Sequence, residues 1–146
     1  MSEVRMVAVI GAGTMGGGIA LVAASHGYDV LLIDVSDDQL GRANAYHAKT
    51  TARNVEKGRM SQNEADAALA RIQTTTEMAR LADADWIVEA ATENADLKKK
   101  IFQQMAEHAR DDVVLATNTS SISITDLASA VPGAEDRVIG MHFFNP

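Results

Sequence analysis

Three short stretches hold residue types able to act together on one small molecule. "MHFFNP" at 141–146 places His142 at the end of an apolar run, just before an Asn-Pro turn signal. "TNTSS" at 117–121 places Asn118 and Ser120 at the exit of another apolar run. "GAGTMG" at 11–16 directly follows a third, which covers residues 5–10. Imidazole titrates near neutrality, so a histidine at a strand end can serve as the general base that takes a proton from a hydroxyl. Ser and Asn on a neighbouring loop can polarise the same oxygen. On residue type alone, a lone histidine at such a place is more often structural. Ser and Asn are also common turn residues, because their side chains bond nearby backbone groups. That bland reading is preferred for Ser121 and Ser123.

The glycine stretch is more definite. In the pattern G-x-G-x-x-G, Gly11 permits a tight turn, Gly13 lets a pyrophosphate approach the backbone, and Gly16 lets helix and strand pack closely. Thr14 and Met15 stand between them, where a helix N-terminus would offer its unpaired N–H groups to phosphate. Asp34 ends the next apolar run, "YDVLLID", 18 residues after Gly16. An acid there accepts from ribose hydroxyls and repels a 2′-phosphate. The segment "DVSDD" offers no basic residue to receive one, so the cofactor read from these residues is NAD rather than NADP.

Such residues work together only if the chain brings them to one edge. Apolar runs of strand length alternate with helical periodicity almost throughout, which predicts an α/β fold with a doubly wound, mostly parallel sheet. One long helix is expected from Ser36 to Lys57, with Leu40, Ala43, Ala48, Ala52 and Val55 on its apolar face. Gly58 should end it, and "SQNE" at 61–64 has the capping-box form that opens another helix. These two make a helical hairpin inserted after the second strand, at about residues 36–72. "NADLKKKIFQQMAEHA" predicts an amphipathic helix with Leu97, Ile101, Phe102 and Met105 inward. His47 is expected on a helix surface, and His26 and His108 near helix ends where partial charge suffices to explain them.

At 146 residues the chain is the size of one domain. A net charge of −7 argues against a nucleic-acid surface, which needs clustered Lys and Arg. The absence of cysteine removes disulfides and thiol chemistry and fits a reducing, cytoplasmic setting. Scattered histidines predict no metal site. The N-terminal apolar run is too short for a membrane span and lacks a small-residue cleavage site. "NTS" at Asn118 is read as a chance match to a glycosylation sequon. Within this acidic chain Arg42, Lys49, Arg53 and Lys57 fall on one face of the long helix and form a basic stripe.

With the glycine loop, Asp34, "EAATEN", "TNTSS" and "MHFFNP" in this order, the whole chain resembles the NAD-binding half of the 3-hydroxyacyl-CoA dehydrogenases, including the 3-hydroxybutyryl-CoA type. The resemblance implies a Rossmann domain over 1–146, followed in the family by a helical domain for substrate binding and dimerisation that this chain lacks. It implies hydride transfer between NAD(H) and the 3-hydroxy or 3-oxo group of an acyl-CoA. His142 matches the catalytic base and Ser120 a residue bonding the substrate. Glu93, Lys98, Asn118 and Asn145 match positions lining the cofactor and substrate cleft. Lys57, with Arg53 and Lys49, matches the helix contacting CoA. The glutamate that orients the histidine would lie beyond Pro146, so the isolated chain is expected to bind NAD(H) with little turnover. A β-hydroxyacid or 6-phosphogluconate type of dehydrogenase, and a non-catalytic NAD-binding module, are the alternatives.

Overall fold

In the computed structural model, residues 3–118 and 123–141 are described. The strands are β1 Met6–Ile10, β2 Asp29–Ile33, β3 Ile72–Thr75, β4 Trp86–Glu89, β5 Val114–Thr117 and β6 Val138–Gly140. The helices are α1 Thr14–Ser25, α2 Asp37–Glu56, α3 Gln62–Arg71, α4 Ala95–His108 and α5 Ile124–Ser129. Two short 3-10 turns, Met78–Asp83 and Glu135–Arg137, precede β4 and β6. The six strands form one sheet in the order β3-β2-β1-β4-β5-β6, every pair parallel. This is the doubly wound Rossmann order, and it reverses direction between β1 and β4.

The apolar runs become strands because both of their faces are covered. Ala8, Ile10, Leu31, Ile33, Ile87 and Leu115 point to one core, closed by Leu81, Phe102, Met105 and Leu127. Their neighbours Val7, Val9, Val30, Leu32, Val88 and Ala116 point to the other, closed by Ile19, Ala20 and Ala24 of α1, Leu40 and Ala43 of α2 and Ala68 of α3. The period-2 alternation thus splits each strand between two layers of helices. On the α1 side an apolar hollow of about 460 Å³ remains open, lined by Val4, Val22, Tyr28, Trp86 and Met141 among others. No helix among the described residues is long and apolar enough to cross a membrane.

Helix ends follow the local chemistry read from the sequence. Ser61 accepts from the Glu64 N–H at 3.0 Å, and Glu64 in return accepts from the Ser61 N–H at 2.9 Å. The Ser61 N–H, and secondarily its hydroxyl, hold the Glu64 carboxyl below its usual range. Ser36 and Ser123 cap α2 and α5 by accepting from the Gln39 and Asp126 N–H groups. Gly58 follows α2 at φ +72°, and the Gly58 and Arg59 N–H groups turn back to Val55 and Asn54. This pair of bonds is the Schellman closure.

Two inward faces differ from expectation. On α2 the buried residues are Leu40, Ala43, His47 and Thr51, while Ala48 and Ala52 are exposed and Val55 half-buried. His47 is therefore in the interior rather than on the helix surface. On α4 the buried residues are Lys98, Phe102 and Met105, and Leu97 is 48% exposed. His47 and Lys98 occupy inward positions because partners outside their own helices satisfy them, while Thr51 bonds the carbonyls of its own preceding turn.

Gly41 is exposed in mid-helix, with open space where a Cβ would stand. Gly41→Ala is expected to stabilise the protein by about 0.5–1 kcal/mol, and Ser61→Ala to destabilise it by about 1 kcal/mol. Urea unfolding checks both, and shifts of the same sign would contradict these helix assignments.

Candidate functional site

At the carboxyl ends of β1 and β4, where the strand order reverses, the chain leaves in opposite directions and opens a crevice. Gly11 begins it at φ +102°, its N–H bonded to the Ile33 carbonyl at 2.7 Å. A Cβ on Gly11 would stand 2.6 Å from Ala91 Cα and 2.8 Å from the Ala90 carbonyl, so only glycine lets the two loops meet. A Cβ on Gly16 would stand 1.6 Å from the Gly11 oxygen. Gly13 is different: it is exposed, and a Cβ there would meet nothing. Gly13 also begins α1 without any side-chain cap, and the first turn carries no acidic residue. The helix dipole and the first N–H groups are thus left for an anion from outside.

Two hollows flank this loop. One, of about 390 Å³, is lined by Ala12, Gly13, Thr14 and Gly17 on the loop side and by Gln39, Arg42, Ala43 and Tyr46 of α2. The other, of about 290 Å³, lies between Gly13, Thr14 and Met15 on one wall and Ala90, Ala91, Thr92, Glu93 and Asn118 on the other. The structure therefore brings Gly13, Thr14, Met15, Glu93 and Asn118 together. Asp34 stands at the end of β2, half-buried, with Oδ2 accepting from the Ala12 N–H at 2.8 Å and Oδ1 from the Ser36 N–H at 2.9 Å. Both bonds fix the carboxylate against the glycine loop and leave further lone pairs for hydroxyl donors.

Lys98 stands apart from its expected place. Its ammonium is wholly enclosed behind the second hollow, paired with Glu89 and donating to Thr117 Oγ1 at 3.3 Å. It does not line either hollow. Lys49, Arg53 and Lys57 are exposed on the outer face of α2 and make no ion pair among the described residues. Arg42, the first residue of the same stripe, lines the hollow beside the glycine loop instead. Ser120, His142 and Asn145 lie outside the described residues.

Sequence reading missed Glu89, Thr117 and His47. The spacing 98, 102, 105 was the available signal for Lys98, since it matches an inward helical stripe. His47 reaches from α2 to α1, where its Nε2–H donates to the Gly17 carbonyl at 2.7 Å. Thr51 Oγ1 donates back to the His47 carbonyl at 2.8 Å. Burial lowers the His47 pKa, with the Gly17 bond opposing. His26 ends α1 with Nδ1 2.8 Å from the Val22 oxygen, in keeping with the helix-end role expected of it.

Residues 6–146 match the family model described as 3-hydroxyacyl-CoA dehydrogenase, NAD binding domain. The chain is 48% identical over its full length to a 3-hydroxyadipyl-CoA dehydrogenase of Escherichia coli, of which it covers 30%. It is 43% identical over 98% of its length to a 3-hydroxybutyryl-CoA dehydrogenase of Bradyrhizobium diazoefficiens, of which it covers 48%. Among solved structures, the (S)-3-hydroxybutyryl-CoA dehydrogenase of Ralstonia eutropha superposes with a TM-score of 0.95 at 44% identity, over 99% of this chain and 50% of that one. The chain thus spans between about a third and a half of the length of these relatives.

His47 has its ordinary pKa of about 6.5 when unfolded and a lower one when folded, so the unfolded chain binds the proton more readily. Stability is therefore expected to be full above that value and to fall as pH drops through it. In His47→Gln, the slope of unfolding free energy between neutral and mildly acidic pH should flatten. An unchanged slope would contradict the burial of a neutral ring.

Proposed function

The chain belongs to the family of NAD-binding domains of 3-hydroxyacyl-CoA dehydrogenases, and from that premise we propose that it forms the dinucleotide half of an enzyme moving a hydride between NAD(H) and the 3-hydroxy or 3-oxo group of an acyl-CoA. One observation carries the reading: an uncapped helix N-terminus behind open Gly13, flanked by the fixed Asp34 carboxylate and by the Glu93–Asn118 hollow. These groups fit a dinucleotide. The α1 amides would hold the pyrophosphate, Asp34 the adenosine ribose, and the walls around Glu93 and Asn118 the nicotinamide side. When bound, the nicotinamide supplies the hydride acceptor or donor.

The other roles belong to this chain's own side chains. His142 takes the hydroxyl proton during oxidation and returns it during reduction, while Ser120 and Asn118 polarise the substrate oxygen and Asn145 lines the cofactor side of the cleft. The exposed cations of α2 suit the phosphates of CoA. Between Arg42 and Lys57 the helix rises by about 22 Å, which places Lys57 well away from the glycine loop and at the far end of a long ligand. A further helical domain completes the acyl pocket and carries the homodimer contact of a cytoplasmic enzyme. This is the division expected where relatives are two or more times longer.

The direct test is spectrophotometric. NADH oxidation with acetoacetyl-CoA is expected to be weak or absent with these 146 residues and rapid with a version extended through the helical domain, where His142→Gln should abolish it. Turnover by the extended His142→Gln variant would contradict the assignment of the base. In that same extended enzyme, Lys57→Glu should raise KM for the acyl-CoA by about tenfold while leaving NADH affinity intact. An unchanged KM would remove α2 from the CoA site. Asp34→Ser should weaken NADH binding and reduce the discrimination against NADPH, because the carboxylate that repels a 2′-phosphate is gone. Retained discrimination would contradict the role given to Asp34.

A further inference from the structure

Helix α1 opens on a run with few side chains to hold it. After Thr14 and Met15 come Gly16, Gly17 and Gly18, and the first apolar anchor in the core is Ile19. Glycine is the poorest helix former after proline, because it loses the most backbone freedom on ordering. Yet this turn carries the first N–H groups of the helix, those without a carbonyl partner inside it, and Gly13 before it supplies no side-chain cap. The turn least able to hold itself is thus the one whose fixed geometry matters most to an anion.

Steric need explains Gly16 but not Gly17. A Cβ on Gly17 would meet Ala43 Cβ at 3.8 Å, the Ala12 oxygen at 3.9 Å and His47 Nε2 at 3.9 Å, all ordinary contacts. What holds Gly17 is hydrogen bonding. Its N–H closes the first turn on the Gly13 carbonyl at 2.8 Å, and its own carbonyl lies 2.7 Å from Nε2 of His47, a side chain only 1% exposed. A carbonyl can only accept, so Nε2 carries the proton. The helix that brings His47 is anchored at the same site, since the N–H of Ser36, the residue that caps α2, is held by the Asp34 carboxylate.

We propose that His47 is a positioning residue for the dinucleotide site, holding the first turn of α1 in the helical geometry that its three glycines do not secure. It touches no ligand and acts through Gly17, 30 residues away. The proposal rests on the dinucleotide reading above and adds to it a part of α2 that faces the interior. The bond from His47 supplies, from outside the helix, the stiffness that a side chain at position 17 would supply from within. Without it the ligand must order the turn on binding, at the expense of affinity. The two devices are therefore interchangeable: with alanine at position 17, whose Cβ the site has room for, the bond from His47 becomes dispensable.

The test measures the dissociation constant for NADH, by fluorescence, and the exchange rate of the Gly17 amide hydrogen, by NMR. Both are taken on the 146-residue chain in the parent, His47→Leu, His47→Gln and the double variant His47→Leu with Gly17→Ala. Leucine keeps the position apolar and filled but cannot donate. It is expected to weaken NADH by about fivefold, the factor one net hydrogen bond represents, and to speed exchange at Gly17 while the amides of Ala20 through Ala24 keep their protection. Glutamine carries an amide nitrogen near the place of Nε2 and should bind NADH to within about twofold of the parent. The double variant, stiffened by alanine instead, should recover to within about twofold as well. A leucine variant that binds NADH like the parent, or exchanges Gly17 no faster, would overturn the proposal. So would a glutamine or double variant as weak as the leucine variant, since rescue by either route would then be absent. If His47→Leu does not fold, His47→Met removes the same donor and takes its place. A parent that does not bind NADH would refute the dinucleotide reading instead, while exchange at Gly17 still reports on the bond from His47.

Discussion

The structure depends on one close approach, that of the Gly11 backbone to Ala90 and Ala91 where β1 and β4 part. Parallel strands buried on both faces can present ligand-binding loops only at their ends, and this is the point where the loops diverge. No side chain fits between the two turns, so the backbone itself forms the floor of the crevice. Each nearby feature keeps that floor in place. Gly16 lets α1 press against the Gly11 carbonyl, Asp34 holds the Ala12 amide, and Glu89 holds the Ala91 amide.

Helix α2 serves two faces of the same task. Its inner face fixes the dinucleotide-binding helix through the His47 bond to Gly17, a contact made within two residues of Met15. Its outer face begins with Arg42 beside the glycine loop and continues through Lys49, Arg53 and Lys57. The element that steadies the cofactor loop therefore also carries the cations proposed to meet the second ligand, which places both binding events on one rigid body.

The parts legible in the sequence are those set by local chemistry. The glycine spacing, the acid after the second strand, the Ser61–Glu64 box and the strand–helix alternation all follow from neighbours within a few residues. The inward faces of α2 and α4 were less legible, because His47, Thr51 and Lys98 read as surface residues by type. The burial of His47 depends on Gly17, 30 residues away, and that of Lys98 on Glu89 and Thr117, 9 and 19 residues away. Apolar periodicity gives a helix its phase only while apolar residues fill the inward positions. Where a lysine takes one, the pattern assigns Leu97 to the interior, yet it is 48% exposed. Glu89 was hidden for a related reason, since nothing nearby in sequence distinguishes a strand-ending glutamate that faces solvent from one that faces a buried ammonium.

The central claim is that the crevice between the β1 and β4 loops is where the dinucleotide binds. Two-dimensional 1H–15N spectra of the 146-residue chain, recorded during titration with NADH, test it most directly. The saturable shifts are expected to concentrate on the amides of Gly11 through Gly17, on Asp34, and on Ala90 through Glu93 and Asn118. Shifts confined to the apolar hollow of Val4, Val22, Trp86 and Met141, with the glycine-loop amides unmoved, would contradict it.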